Sequence, residues 1–312
     1  MGTTPLLDPE TPDEVFNLKD FDHMNVDCPL IAGDIHLDPP ENMLALCPGL
    51  DILQSLPQQS MSTVLRTMST WPRALAKDVD PPAVLHHTQY FSETMPDCLA
   101  KCISIAKMWV GQVEGASEMI VSLIQKEMSS LYLHYHTYDE PTIVAALQSL
   151  LFYTIMLLFP PNRTSIPFLP PSIFASLLEI TVHTSTDGLM LPSEINGNRP
   201  SFSDWILISS KRRVIFSLYL LHWSYSVNHG LPSFNCDELG HVMAPPPRWL
   251  WRETDKDRWQ KLYGKHMAQW EGEEFRMWEY AEIKPGPFLS RRASMWLEDA
   301  DEFGLMFFSI GE

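Results

Sequence analysis

TIVAALQSLLFYTIMLLF, residues 142–159, is an almost unbroken apolar run. It approaches the ~20 residues that a helix needs to cross a bilayer. Two readings compete: a membrane span, or a helix buried on every side in an all-helical core. Gln148 and Ser149 interrupt the run, Asp139-Glu140-Pro141 precedes it, Pro160-Pro161 ends it, and no Lys/Arg asymmetry flanks it. Such asymmetry is what orients membrane spans. The buried helix is preferred, because the segments on either side are amphipathic and can surround it. No membrane association is expected.

Working outward, the chain has 26 prolines, with doublets or a triplet at Pro39-Pro40, Pro81-Pro82, Pro160-Pro161, Pro170-Pro171 and Pro245-Pro247. Proline removes a backbone donor and clashes with the preceding turn, so these sites mark connections between helices. Between them apolar residues recur with a period near 3.6 and without sustained alternation, which predicts an all-α fold. Helices are expected at about 42–56, 97–112, 115–135, 141–159, 171–184, 202–229, 255–270 and 272–281. Start signals stand at Asp139-Glu140 with Pro141, at Pro171-Ser172 and at Ser203-Asp204, while Gly230 offers a C-cap. Residues 186–200 read as a polar loop.

Lys and Arg total 22 against 39 Asp and Glu, a net charge of −17. That argues against a free-standing nucleic-acid binder, whose affinity comes from a basic footprint. Residues 1–40 hold nine acidic side chains against Lys19, and residues 296–312 hold five with no basic one. The expected organisation is an acidic, flexible N-terminal segment (1–40), a multi-helix globular domain (41–282) and an acidic-hydrophobic C-terminal tail (283–312). Both ends are read as partly disordered. Five scattered cysteines, Cys28, Cys47, Cys98, Cys102 and Cys236, fit a reducing compartment better than a disulfide framework. The opening MGTTPLLDPETPDE has neither a basic n-region nor an apolar h-region, so an intracellular protein is expected.

Chemistry-bearing motifs are sparse. Cys98 and Cys102, four apart, form half of a metal site with no second half; His134 and His136 fall on opposite helix faces, and His86-His87 lies in a loop-like stretch. No G-x-S-x-G, P-loop, G-x-G-x-x-G or H-E-x-x-H occurs. No catalytic residue, metal or cofactor is assigned, and the chain is read as a non-enzyme. Lys211-Arg212-Arg213 is a compact basic cluster inside an apolar helix. It reads either as a phosphate or import-receptor site, or structurally, with one Arg exposed and the other hydrogen-bonded internally.

Three stretches together carry a resemblance. They are Pro82-Ala83-Val84-Leu85-His86-His87-Thr88-Gln89 with Pro96-Asp97-Cys98-Leu99-Ala100-Lys101-Cys102; Ile143 to Met156 with Gln148 inside it; and Trp205-Ile206-Leu207-Ile208-Ser209-Ser210-Lys211-Arg212-Arg213 followed by Pro245-Pro246-Pro247, Leu250-Trp251 and Trp259. Over residues 82–282 the chain resembles the regulatory (middle homology) domain of fungal binuclear zinc-cluster transcription factors of the secondary-metabolism type. The resemblance marks Gln148, Trp205, Arg212, Arg213 and Trp251 as family-motif residues.

Ser209 stands where the family usually has Glu and Val214 where it has Thr. A Glu at 209 would pair with Arg212 and Arg213 along the helix, so here the arginines need other partners. The cluster that gives these factors their grip on DNA needs six thiolates at tight Cys-x2-Cys spacing, which this chain lacks, so direct nucleic-acid binding is not expected.

What the resemblance implies is a nuclear transcriptional regulator, of a biosynthetic gene cluster. It would act through the transcriptional machinery or a DNA-bound factor, alone or as a homo- or heterodimer, or as a truncated zinc-cluster factor. The acidic ends supply candidate activation segments: Trp296, Leu297, Phe303, Leu305, Phe307 and Phe308 alternate with carboxylates, either as a solvated tail that folds on a coactivator or as a helix docked on the core. The alternative function is a helical protein that binds or converts a small molecule within a biosynthetic pathway.

Overall fold

In the computed structural model the residues described are 56–112, 115–161, 165–231, 239–271, 273–283 and 286–311. Every element among them is helical, apart from one isolated bridge between Met243 and Arg276. The order is α1 (Leu56–Ser69), α2 (Trp71–Ala76), α3 (His87–Tyr90), α4 (Asp97–Val110), α5 (Ser117–His134), a 3-10 turn (Tyr135–Thr137), α6 (Glu140–Leu158), α7 (Pro171–Ser185), α8 (Pro192–Ile195), α9 (Phe202–His229), α10 (Arg248–Trp251), α11 (Lys256–Gln269), α12 (Met277–Ala281), α13 (Arg291–Asp299) and α14 (Glu302–Gly311). They belong to one compact unit, residues 39–312. The helix expected at 42–56 and the acidic segment 1–40 lie outside the described residues, as do Cys28, Cys47 and Cys236.

The apolar run forms the centre. Asp139 caps α6 by accepting from the Thr142 amide at 3.1 Å, Pro141 sits in the first turn where a missing N–H costs nothing, and Pro160 follows its end. Every residue from Ile143 to Met156 is buried. Neighbours α4, α5, α7 and α9 surround it, with α1 and α2 adding smaller contacts. The helix long and apolar enough for a membrane is therefore the core helix of the fold. Each fully buried Leu or Ile contributes about 1.5–3 kcal/mol relative to exposure, so this one element anchors the packing.

The second spine is α9, 28 residues long. Ser201 Oγ accepts from the Asp204 amide at 3.1 Å, and Gly230 ends the helix at φ 64°, a left-handed position that favours glycine. Its cap is thus Ser201, ahead of the Ser203-Asp204 expected from sequence. Every residue from Ile208 to Leu218 is buried, including Lys211, Arg212 and Arg213.

Three expectations are corrected. Of the described residues in 272–281 only Met277–Ala281 are helical, and the loop 186–200 contains the short helix α8. The larger correction concerns 283–312. Within residues 286–311 lie α13 and α14, and α14 packs on α1. Ala293, Trp296, Phe303, Met306 and Phe307 are buried, at helical spacing on one side of each helix. The carboxylates that make this stretch look like a tail point elsewhere or are paired.

Candidate functional site

Three of the residues marked in the sequence, Gln148, Arg213 and Trp251, meet around an irregular segment, Pro81 to His86, in which all six residues are buried. Buried backbone outside a helix must find partners for its polar groups. The Leu85 amide donates to the Pro82 carbonyl at 2.8 Å. From α6, Gln148 Nε2 donates to the Val84 carbonyl at 3.1 Å; from α9, Arg213 Nη1 donates to the Ala83 carbonyl at 2.9 Å. Further along, Ser210 Oγ and the His86 amide both donate to Gln89 Oε1, at 2.8 and 3.2 Å. Two core helices thereby hold one connection by its main chain.

His86 closes this segment. Its Nδ1 accepts from the Thr88 amide at 3.2 Å, capping α3, and its ring lies edge-on to Trp251 at 4.9 Å. Burial, followed by the positive charges of His87 and Arg213, pushes its pKa down to about 4, so it is neutral at physiological pH. Around Trp205 and Trp251 an aromatic cluster continues with Trp259 and Tyr263, all buried. Trp205 and Trp259 are 5.3 Å apart between ring centres.

The three consecutive cations of α9 reach in three directions. Lys211 Nζ donates to Glu140 Oε1 of α6 at 3.0 Å. Arg212 forms a two-pronged pair with Glu194 of α8 and donates from Nε to the Leu189 carbonyl at 2.7 Å. Arg213 Nη2 donates to Asp301 Oδ2 at 2.6 Å, and its guanidinium lies over Trp251 at 4.1 Å and Phe303 at 4.9 Å. The glutamate missing at Ser209 is thus replaced by carboxylates from distant elements. The expectation that one arginine is exposed is corrected: both are buried, because each has its own carboxylate. No member of the cluster is left to hold a phosphate or an import receptor.

Asp301 does two tasks. Its Oδ1 accepts from the Gly304 amide at 2.9 Å, while Oδ2 takes Arg213. Of the candidate activation residues, Trp296 donates from Nε1 to the Pro245 carbonyl at 3.0 Å, and Phe303 and Phe307 pack in the core. Leu297 and Phe308 are half-buried, and Leu305 is half-exposed.

Sequence reasoning missed a second cluster. His266 of α11 and Glu274 are joined by Nε2 to Oε2 at 3.0 Å, and the Tyr263 hydroxyl is 3.5 Å from Glu274 Oε1. Burial acts to raise the Glu274 pKa, but the hydrogen bond and charge of His266 outweigh it, holding the carboxyl below its usual range. The pair faces a shallow, solvent-open cleft of about 10 Å³, room for little more than one water, walled by Pro245–Pro247, Trp270, Phe275, Met295 and Trp296. The lining holds a proton acceptor and carboxylates but no Ser, Thr, Cys or Lys, so it offers acid–base groups without a nucleophile. The signal in the sequence was weak: one His and one Glu, eight apart, in a polar stretch.

Among the described residues no group of three or more His, Cys, Asp or Glu is placed to hold a metal. Cys102 is fully buried against the Ser149 carbonyl at 3.8 Å, and burial pushes its thiol pKa up, as it does for Cys98. Cys102 is a small core residue and Cys98 a half-buried one, and burial disfavours the thiolate at both. His134 bonds the Ser130 carbonyl at 2.8 Å, and His136 lies against the Tyr135 ring at 3.7 Å, so each is engaged locally. Compared with protein-family models, with curated proteins and with solved structures, the chain finds no match.

Proposed function

We propose that this chain is a non-enzymatic transcriptional regulator, of a biosynthetic gene cluster, working in the nucleus through a DNA-bound partner or through a DNA-binding module outside these residues. The observation that carries this reading is the convergence of Gln148, Arg212, Arg213 and Trp251 on buried architecture. Residues that the resemblance singles out are spent on holding segments together: each cation has a fixed carboxylate, and the core polar groups bond main chain. A body of this kind transmits contacts between surfaces. The net charge of −17 is compatible with binding to protein partners and not to bare DNA.

The test is to fuse the full chain to a heterologous DNA-binding domain beside a reporter, and to profile transcripts after deletion of the protein. The regulator reading expects reporter output to change and a linked set of transcripts to shift. The buried His266–Glu274 pair favours one second reading, a small-molecule-binding or catalytic protein. A silent fusion and unchanged transcripts, with a pathway intermediate accumulating, would decide for it.

A further inference from the structure

The turn that opens α13 reads Ser290-Arg291-Arg292-Ala293-Ser294-Met295. The chain has two runs of adjacent basic residues, and the other, Lys211-Arg212-Arg213, is buried and paired. Here the arginines stand three and two positions ahead of a serine that an apolar residue follows. Arg291 is exposed, and its side chain has no partner among the described residues. Ser294 is half-buried, and its hydroxyl likewise has none. Three apart on a helix, the two share a face. Arg292 is held differently: its Nε and Nη2 donate to Glu279 at 2.5 and 2.8 Å, and its guanidinium lies over Trp270 at 5.1 Å.

We propose that Ser294 is a phosphorylation site for an arginine-directed serine kinase. Such an enzyme recognises guanidinium groups through carboxylate subsites, which bind them in two-pronged pairs. In an acidic protein Arg291 is an exposed cation without a carboxylate partner among the described residues, which gives the kinase's carboxylate subsite a local anchor. The Ser294 Oγ attacks the γ-phosphorus of Mg-ATP. The new O–P bond forms as the bond to the β–γ bridging oxygen breaks, ADP leaves with that electron pair, and the hydroxyl proton passes to a kinase carboxylate and then to water.

A kinase takes its substrate extended, so the first turn must open. The opening is local. α13 has nine residues, too few to be stable as an isolated helix, and its first turn is held by the Ser290 Oγ cap on the Ala293 amide at 3.1 Å and the Ser294 amide bond to the Ser290 carbonyl at 2.9 Å. Ahead of it Pro287, Phe288 and Ser290 are exposed, Phe288 at 91%, so the chain leading into the turn is open to solvent. After transfer, the phosphate lies beside the free Arg291 guanidinium and near the positive end of the helix, both of which stabilise it. Arg292 stays with Glu279, and the modification rewrites the surface charge without dismantling the helix.

The test incubates the full chain, the Ser294→Ala and Arg291→Ala variants and a peptide spanning residues 286–299 with a purified arginine-directed kinase and Mg-ATP, followed by intact mass and site mapping. The expected result is one phosphoryl group at Ser294, its loss in Ser294→Ala, and at least a tenfold lower rate for Arg291→Ala, whose side chain touches nothing structural. The full chain should react at least ten- to a hundredfold more slowly than the peptide, because the Ser290 cap, the first-turn main-chain bonds and the Arg292–Glu279 pair must all open. Labelling of the peptide but not of the full chain overturns the proposal. So does an unreactive peptide, label surviving in Ser294→Ala, or an Arg291→Ala rate equal to that of the unaltered chain.

Discussion

Replacing Asp301 with Asn tests the clamp between α9 and the C-terminal helices. The change keeps size and keeps Oδ1 as the acceptor for the Gly304 amide, so the cap of α14 survives. What it removes is the negative charge facing Arg213. Both side chains are 1% exposed, and burial already pulls the Arg213 pKa down against the opposing pull of Asp301. A guanidinium does not give up its proton in a protein, so Asp301→Asn leaves an uncompensated cation in the core. Removing one partner of such a pair costs about 3–5 kcal/mol. At roughly 2–4 °C per kcal/mol for a chain of this size, the midpoint of thermal unfolding should fall by about 6–20 °C, read by circular dichroism at neutral pH.

The double change Arg213→Met with Asp301→Asn removes both charges, keeps the acceptor for the Gly304 amide, and should recover part of that loss. A residue of about 1–3 kcal/mol should remain, from the orphaned Ala83 carbonyl. A loss below about 1 kcal/mol for Asp301→Asn would refute the reasoning, since it would mean that water or another carboxylate reaches Arg213.

Two further outcomes are expected. His86 titrates near 4 in the folded chain and near 6.5 when unfolded, so above 6.5 it contributes no pH dependence. As pH falls from 6.5 towards 4 the unfolded state alone takes the proton, and stability drops by on the order of 3 kcal/mol, then levels off. His86→Asn, which keeps an acceptor for the Thr88 amide, should flatten that slope in urea unfolding curves measured across the range; an unchanged slope would contradict it. Gln148→Leu leaves the Val84 carbonyl buried and unpaired and should lower the urea midpoint by an amount equivalent to about 1–3 kcal/mol, with no change in helix content.

The long helices were legible because their signals are local. Proline pairs bound α6 and α7, an Asp or Ser caps α6, α9 and α11, and apolar residues recur at helical spacing in the long helices from α4 to α9. α1 was not expected because its sequence, LPQQSMSTVLRTMS, is rich in Ser, Thr and Gln; yet Met61, Val64, Leu65 and Met68 are buried at three- and four-residue spacing, a pattern that was available. α13 and α14 were masked by their carboxylates. Their meaning depends on Arg213, 88 positions away from Asp301, and no local rule reaches that far. The same holds for Glu194, 18 positions from Arg212. Gln148 and Arg213 could be named from sequence, but their shared target, the main chain at Ala83 and Val84, exists only in three dimensions.

The wrapping of α6 bears on synthesis. Its cover comes from both chain directions: α4 and α5 are made before it, α7 and α9 after. A ribosome that has released residue 160 but not residue 202 therefore carries an oily rod with one flank bare. Nascent chains of that intermediate length should draw chaperones or clump, and translation pauses placed after α9 should be far better tolerated than pauses placed before it.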